Sequence, residues 1–93
     1  RLTEAVQLGR VIISRLAPGA RIASHVDEGA PATFYQRYQV ALQSLPGALF
    51  RIGDERVNFA SGDAYWINNC AEHEVINNSS DDRLALVIDM RLG

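Results

Sequence analysis

Apolar and polar residues alternate along most of this chain in short stretches, and turn residues separate the stretches. The alternation is clearest from Phe34 to Gln43. There Phe34, Tyr38, Val40 and Leu42 fall on one face, and Tyr35, Arg37, Gln39 and Ala41 on the other. That two-residue period is the signature of a strand. Val11 to Leu16 is a run of mostly β-branched residues followed by Pro18-Gly19, a turn signal. Arg21 to Asp27 predicts a second short strand, and Glu28 to Ala32, with Gly29 and Pro31, a loop. Pro46-Gly47 turns into a strand over Ala48 to Ile52, and Gly53-Asp54-Glu55 turns into Val57 to Phe59. Ser61-Gly62-Asp63 leads into Ala64 to Ile67. Asn68 to Glu72 is a polar loop that delivers His73, after which Glu74 to Ile76 continues extended. Asn77 to Asp82 predicts a solvated turn. Arg83 to Met90 is apolar on both faces, the pattern of a central strand. Only Thr3 to Leu8 could be mistaken for a helix.

About eight short strands and no convincing helix predict an all-β fold. The best match is a double-sheet jelly roll, that is, a double-stranded β-helix or cupin-like barrel. Residues 1–93 make one domain. With 47% hydrophobic residues a core is feasible, although so short a chain buries a modest share of its surface. The sequence opens on Arg1, and we expect a fragment of a longer protein that lacks some N-terminal elements.

Charge narrows the function. Nine basic residues, all arginine, face eleven acidic ones, for a net charge of -2. No basic run exists, which argues against nucleic-acid binding. No stretch approaches the length of a membrane span. The one cysteine, Cys70, cannot form a disulfide within the chain, so a reducing, cytoplasmic setting is expected. Cys70 stands three residues before His73 and is conceivable as a ligand, but a small, partly buried thiol is the commoner outcome.

The candidate chemistry lies in His25, Asp27 and His73. The chain has two histidines, and both belong to this pattern. Residues two apart on a strand share a face, so His25 and Asp27 can present an imidazole and a carboxylate to one ion. Alone, such a triplet is usually a solvated loop end. His73, at the start of a strand after a polar loop, supplies the third donor. Two imidazoles and one carboxylate suit a ferrous ion with open positions. No second thiol or third histidine is present to close a structural zinc site. Arg83 carries a planar fork able to grip the far carboxylate of a small diacid. Its plainer reading is a surface arginine, or a partner of Asp81 or Asp82. Strand parity does not settle where it points.

Three segments carry a family resemblance: ISRLAPGARIASHVD (13–27), RYQVAL (37–42) and GDAYWINNCAEHEVINNSSDDRLALVID (62–89). Together they resemble the catalytic domain of the aspartyl/asparaginyl β-hydroxylases, which are oxygenases dependent on iron and 2-oxoglutarate. The third segment is the most specific. It runs from glycine-acid-x-x-tryptophan, through histidine-x-valine, to an arginine and an apolar strand ending in aspartate.

The resemblance implies that His25 and His73 bind Fe(II) and that Asp27 completes the set. It implies that Arg83 and Ser14 bind the distal carboxylate of 2-oxoglutarate. Arg37 matches a family arginine at the cosubstrate or substrate end of the pocket, and Trp66 a family tryptophan near the site. One departure stands out: Gln39 occupies the position of a usual family histidine. Glutamine still donates and accepts hydrogen bonds. The implied reaction uses O2 and 2-oxoglutarate to hydroxylate an unactivated C–H bond. The substrate would be an aspartyl or asparaginyl side chain of a peptide or protein, or a free amino acid. The competing reading is a non-catalytic or degenerate jelly-roll module for binding or structure. A metal-binding cupin fits less well, because its pattern wants two histidines one apart and then a glutamate.

Overall fold

The computed structural model describes residues 6–27, 34–68 and 71–92. Eight strands run along the chain. They are β1 (Val6–Leu16), β2 (Arg21–His25), β3 (Gln36–Gln43) and β4 (Ala48–Ile52). There follow β5 (Glu55–Val57), β6 (Ala64–Ile67), β7 (His73–Asn77) and β8 (Arg83–Leu92). They form two four-stranded sheets, ordered β1-β8-β3-β6 and β2-β7-β4-β5. Every pairing is antiparallel. The fold is all-β, a double-stranded β-helix, as the alternation predicts.

The strand bounds differ from expectation in informative ways. β1 starts at Val6, so the described part of the segment that resembled a helix is extended. A bulge between Leu8 and Val11 is what hides this from the sequence, since it breaks the two-residue period. Gly9 lies in that bulge against the ring of Tyr35, where an added Cβ would sit 2.8 Å from the ring. β2 stops at His25, so Asp27 lies beyond it. β5 starts at Glu55 because the turn needs two residues, Gly53 and Asp54, with Gly53 at φ 55°. The expected loop over Glu28 to Ala32 lies outside the described residues, as does Cys70.

β8 is central, between β1 and β3. Its odd residues Arg83, Ala85, Val87 and Asp89 are buried, which settles the direction of Arg83: it points inward. The core is built on Leu16, Phe50, Ile67 and Val75, with Ile22, Phe59 and Tyr65 packed against it. Burying a side chain such as Phe50 stabilises by about 1.5–3 kcal/mol.

Asn77 closes β7 and is fully buried. Its amide donates to the carbonyls of Leu16 (2.8 Å) and Asp81 (2.9 Å), and its Oδ1 accepts from Ser79 N (3.1 Å) and Oγ (2.6 Å). The sequence suggested a solvated turn residue; the structure makes Asn77 the buried tie between β1 and the β7–β8 turn. No described helix is long and apolar enough to cross a membrane.

Candidate active site

Two strand ends bring the histidines together. His25 closes β2, His73 opens β7, and they are direct cross-strand partners. Their ring centroids lie 4.4 Å apart. Each ring is aimed by the same local device. His25 Nδ1 lies 2.8 Å from the carbonyl oxygen of Ala23, and His73 Nδ1 lies 2.8 Å from that of Ala71. A carbonyl only accepts, so Nδ1 is the donor and Nε2 of the neutral ring keeps its lone pair. His73 is buried and stacks parallel to Phe50, at 6.1 Å between centroids.

Asp27 completes the cluster by another route than a shared strand face. It lies past the end of β2, and its carboxylate reaches back. Oδ1 is 3.3 Å from His25 Nε2 and 3.9 Å from His73 Nε2. The three residues offer ligand atoms within 4.8 Å of one another. On its other side Asp27 is gripped by Arg37, whose Nη1 donates to Oδ2 at 2.9 Å. Arg37 is gripped in turn by Asp89, its direct partner across β3 and β8. Nε donates to Oδ1 at 2.9 Å and Nη2 to Oδ2 at 3.2 Å. The hydrogen bond to Asp89 holds the Arg37 guanidinium above its ordinary value against the opposing effect of burial, and the charges of Asp89 and Asp27 add to it.

A cavity of about 160 Å³ runs from the histidines to Arg83. Ser14, Arg37 and Gln39 line it with both histidines, above an apolar floor that includes Phe50 and Val75. Arg83 is 6% exposed. Its Nη2 has two neutral oxygens nearby, Tyr65 Oη at 3.3 Å and Gln39 Oε1 at 3.5 Å. The guanidinium carbon lies 5.9 Å from the Phe50 centroid. Among the described residues Arg83 has no carboxylate in ion-pair range, and Asp82 pairs with Arg15 instead, at 2.7 Å. Tyr65 donates to Gln39 Oε1 at 3.0 Å. Burial pushes its hydroxyl above the usual tyrosine range, with Arg83 opposing. Tyr65 is therefore a neutral phenol at physiological pH.

The cavity thus gathers seven of the eight residues singled out from the sequence, either lining it or at the metal-type cluster at its mouth. Trp66 is the exception. It is 55% exposed on the outer face of its sheet, because the strand period turns Tyr65 and Ile67 inward and Trp66 away. Three contributors went unassigned in the sequence: Tyr65, Phe50 and Asp89. Parity contains a signal for two of them. Asp89 shares the face of Arg83 on β8, and Tyr65 is the cross-strand partner of Gln39. Glu74 is engaged by Arg51 at 2.6 Å, and that hydrogen bond holds its carboxyl below the usual range.

The model of the aspartyl/asparaginyl β-hydroxylase family matches residues 2–92. The chain belongs to this family. Solved structures agree on the fold. The TT1209 protein of Thermus thermophilus is 28% identical, with TM-score 0.65 over 85% of this chain and 69% of that one. A cupin domain of Bordetella pertussis is 22% identical, with TM-score 0.66 over 92% and 88%. A non-heme monooxygenase, ThoJ, solved as a nickel complex, is 16% identical, with TM-score 0.72 over 94% of this chain and 44% of that one. Direct comparison with curated proteins gives no match. As a member of the β-hydroxylase family, the chain has an oxygenase-like role, and the His25–Asp27–His73 cluster is its possible metal site.

Proposed function

We propose that this β-hydroxylase family member is an Fe(II)- and 2-oxoglutarate-dependent dioxygenase that hydroxylates an amino-acid side chain. The observation that carries the reading is one cavity with two unlike ends. At one end two imidazole nitrogens and a carboxylate oxygen converge. At the other, a buried arginine meets two neutral oxygens and, among the described residues, no carboxylate.

The donor chemistry fits iron. Two neutral nitrogens and one carboxylate suit a ferrous ion and leave other positions open. Such an ion, when bound, activates dioxygen, while oxidation of 2-oxoglutarate to succinate and carbon dioxide supplies electrons.

The chain's own residues bind and orient. A buried, unpaired cation costs several kcal/mol, and the distal carboxylate of 2-oxoglutarate would offset that cost at Arg83. The planar fork offers it two parallel donors. Ser14 lines the same cavity as a neutral donor, and behind the wall Gln39 Oε1 accepts from both Tyr65 and Arg83. Phe50 and Val75 keep the floor dry. The substrate would be an aspartyl or asparaginyl residue in a peptide, or a free amino acid, entering on the side of His25, the more exposed histidine. A reducing, cytoplasmic setting belongs to the proposal, since the ion must stay ferrous.

The test is anaerobic addition of Fe(II) and 2-oxoglutarate. We expect a weak visible charge-transfer band, and succinate once oxygen is admitted. His73→Ala should abolish both. No band, and no succinate above background, would favour a non-catalytic jelly-roll module.

A further inference from the structure

The carboxylate of Asp27 has two oxygens and a freely rotating terminal bond, and it sits beyond the end of its strand. Nothing in the local backbone selects which oxygen meets the histidines. The selection is made from across the barrel. Arg37 Nη1 holds Oδ2 at 2.9 Å, which leaves Oδ1 facing both Nε2 atoms at 3.3 and 3.9 Å. Arg37 is itself held in a two-point fork by Asp89, at 2.9 and 3.2 Å. The Asp89 side chain is 8% exposed and anchored on the central strand β8, while those of Arg37 and Asp27 are 16% and 18% exposed. The chain of contacts therefore runs from a rigid, buried strand to a carboxylate outside any strand.

We propose that Arg37 is a positioning residue for the metal site: with Asp89 behind it, it fixes Asp27 so that Oδ1 alone is presented to the ion. The proposal rests on the metal reading above. It reassigns Arg37 from the cosubstrate end of the pocket, where the resemblance placed it, to the support of a ligand. Three of its five N–H donors are already committed to carboxylates. The charges are consistent with this arrangement. Asp27 and Asp89 share one partly buried guanidinium, and Arg10 stands 3.8 Å from Asp89, so Asp27 is not matched one-to-one with a cation. Geometry forbids a simple replacement. Lysine carries the charge but is a single point, and it cannot bridge a forked carboxylate and a second one at once.

The experiment is a Co(II) titration of the metal-free protein, followed by the visible spectrum of the bound ion. Wild type is compared with Arg37→Gln, Arg37→Lys, Asp89→Asn, Asp27→Asn and the double variant Arg37→Gln/Asp27→Asn. Thermal melting confirms that each is folded. Removing an outer partner of a ligand typically lowers metal affinity about 10–100-fold, and that is the loss expected for Arg37→Gln. Arg37→Lys should recover little of it, and Asp89→Asn should lose less. The decisive measurement is the cycle. If Arg37 acts through Asp27, removing it from the Asp27→Asn background costs nothing further, whereas a general structural role would give additive losses. Additive losses, or wild-type affinity in both Arg37 variants, overturn the inference while leaving the metal site standing. Wild-type protein that takes up no cobalt overturns the metal reading itself, and this inference with it.

Discussion

His25 and His73 face each other as direct partners across β2 and β7, with ring centroids 4.4 Å apart. Both send Nδ1 to a carbonyl two residues back, so both Nε2 atoms are left to point at one place. The pair is not equivalent in burial. The His73 side chain is 8% exposed and that of His25 is 43% exposed. Replacing either by alanine removes a donor, and metal affinity should fall by at least tenfold in both. The structural cost should differ. His73→Ala also strips the stacked face of Phe50 and should cost about 1–2 kcal/mol of stability, whereas His25→Ala should be within about 0.5 kcal/mol of wild type. Metal titration paired with urea unfolding separates the two effects.

Asn77 ties the barrel shut behind the site. All four of its hydrogen bonds are internal, and each buried partner left unmatched costs about 1–3 kcal/mol. Asn77→Ala should therefore lower stability by about 3 kcal/mol, and Asn77→Asp, which keeps the acceptor but loses both donated bonds, should lose nearly as much. Chemical denaturation measures both. A change below 1 kcal/mol would mean that the β7–β8 turn is held by other contacts.

How much of this was legible in the sequence follows from where each signal resides. Alternation is local, so Ala48–Ile52 and Ala64–Ile67 were readable to the residue. The bulge at Gly9 was not, because it shifts phase within a strand. The apolar run after Arg83 announced a central strand, yet the inward turn of Arg83 needed the register with β1 and β3. The candidate metal cluster was legible from residue types, for the chain has two histidines and both belong to it. The reason offered for Asp27, a shared strand face with His25, was incomplete: the strand ends first, and Arg37 brings the carboxylate in. Contacts made between strands of one sheet, such as Arg37 with Asp89 and Tyr65 with Gln39, depend on strand pairings and registers that no local pattern encodes.

Trp66 shows the limit of motif transfer. Its position in the sequence matches the family pattern, but its ring lies on the outer face of the sheet opposite Tyr38. Trp66→Ala should leave metal and 2-oxoglutarate affinity within twofold of wild type. Tyr65→Phe, one residue away on the inner face, should weaken 2-oxoglutarate several-fold by removing a hydroxyl worth about 1 kcal/mol. Cosubstrate titrations on the metal-loaded variants decide between them.

Tyr65 also sets a pH limit. Burial raises its hydroxyl above the usual tyrosine value, so the folded state holds this proton more tightly than the unfolded chain does. The resulting stability is fully present below about pH 10, the unfolded value, and is lost as pH climbs through the higher folded value. Wild type should therefore show an alkaline decline in melting temperature that Tyr65→Phe lacks or shows less steeply. Coincident alkaline curves for the two proteins would remove Tyr65 as the cause.

Arg83 is a cation kept in place at a thermodynamic cost, and that makes its role separable from its packing. With no carboxylate in range among the described residues, its burial opposes folding until an anion arrives. Replacing poorly compensated buried charges by apolar side chains often stabilises by about 1–4 kcal/mol. Arg83→Leu should accordingly raise the stability of the ligand-free protein by about 1 kcal/mol or more, even after the loss of the cation–π contact with Phe50. The order should reverse with ligand. If the proposed function holds, saturating Fe(II) and 2-oxoglutarate should stabilise wild type by mass action, by about 2.7 kcal/mol at a hundred times the dissociation constant. The variant, with iron bound but the far carboxylate unheld, should gain little from the diacid. The two melting curves should cross as 2-oxoglutarate is added at constant iron. A variant less stable than wild type under both conditions, with the same response to 2-oxoglutarate, would show that Arg83 serves the fold and that the diacid is held elsewhere.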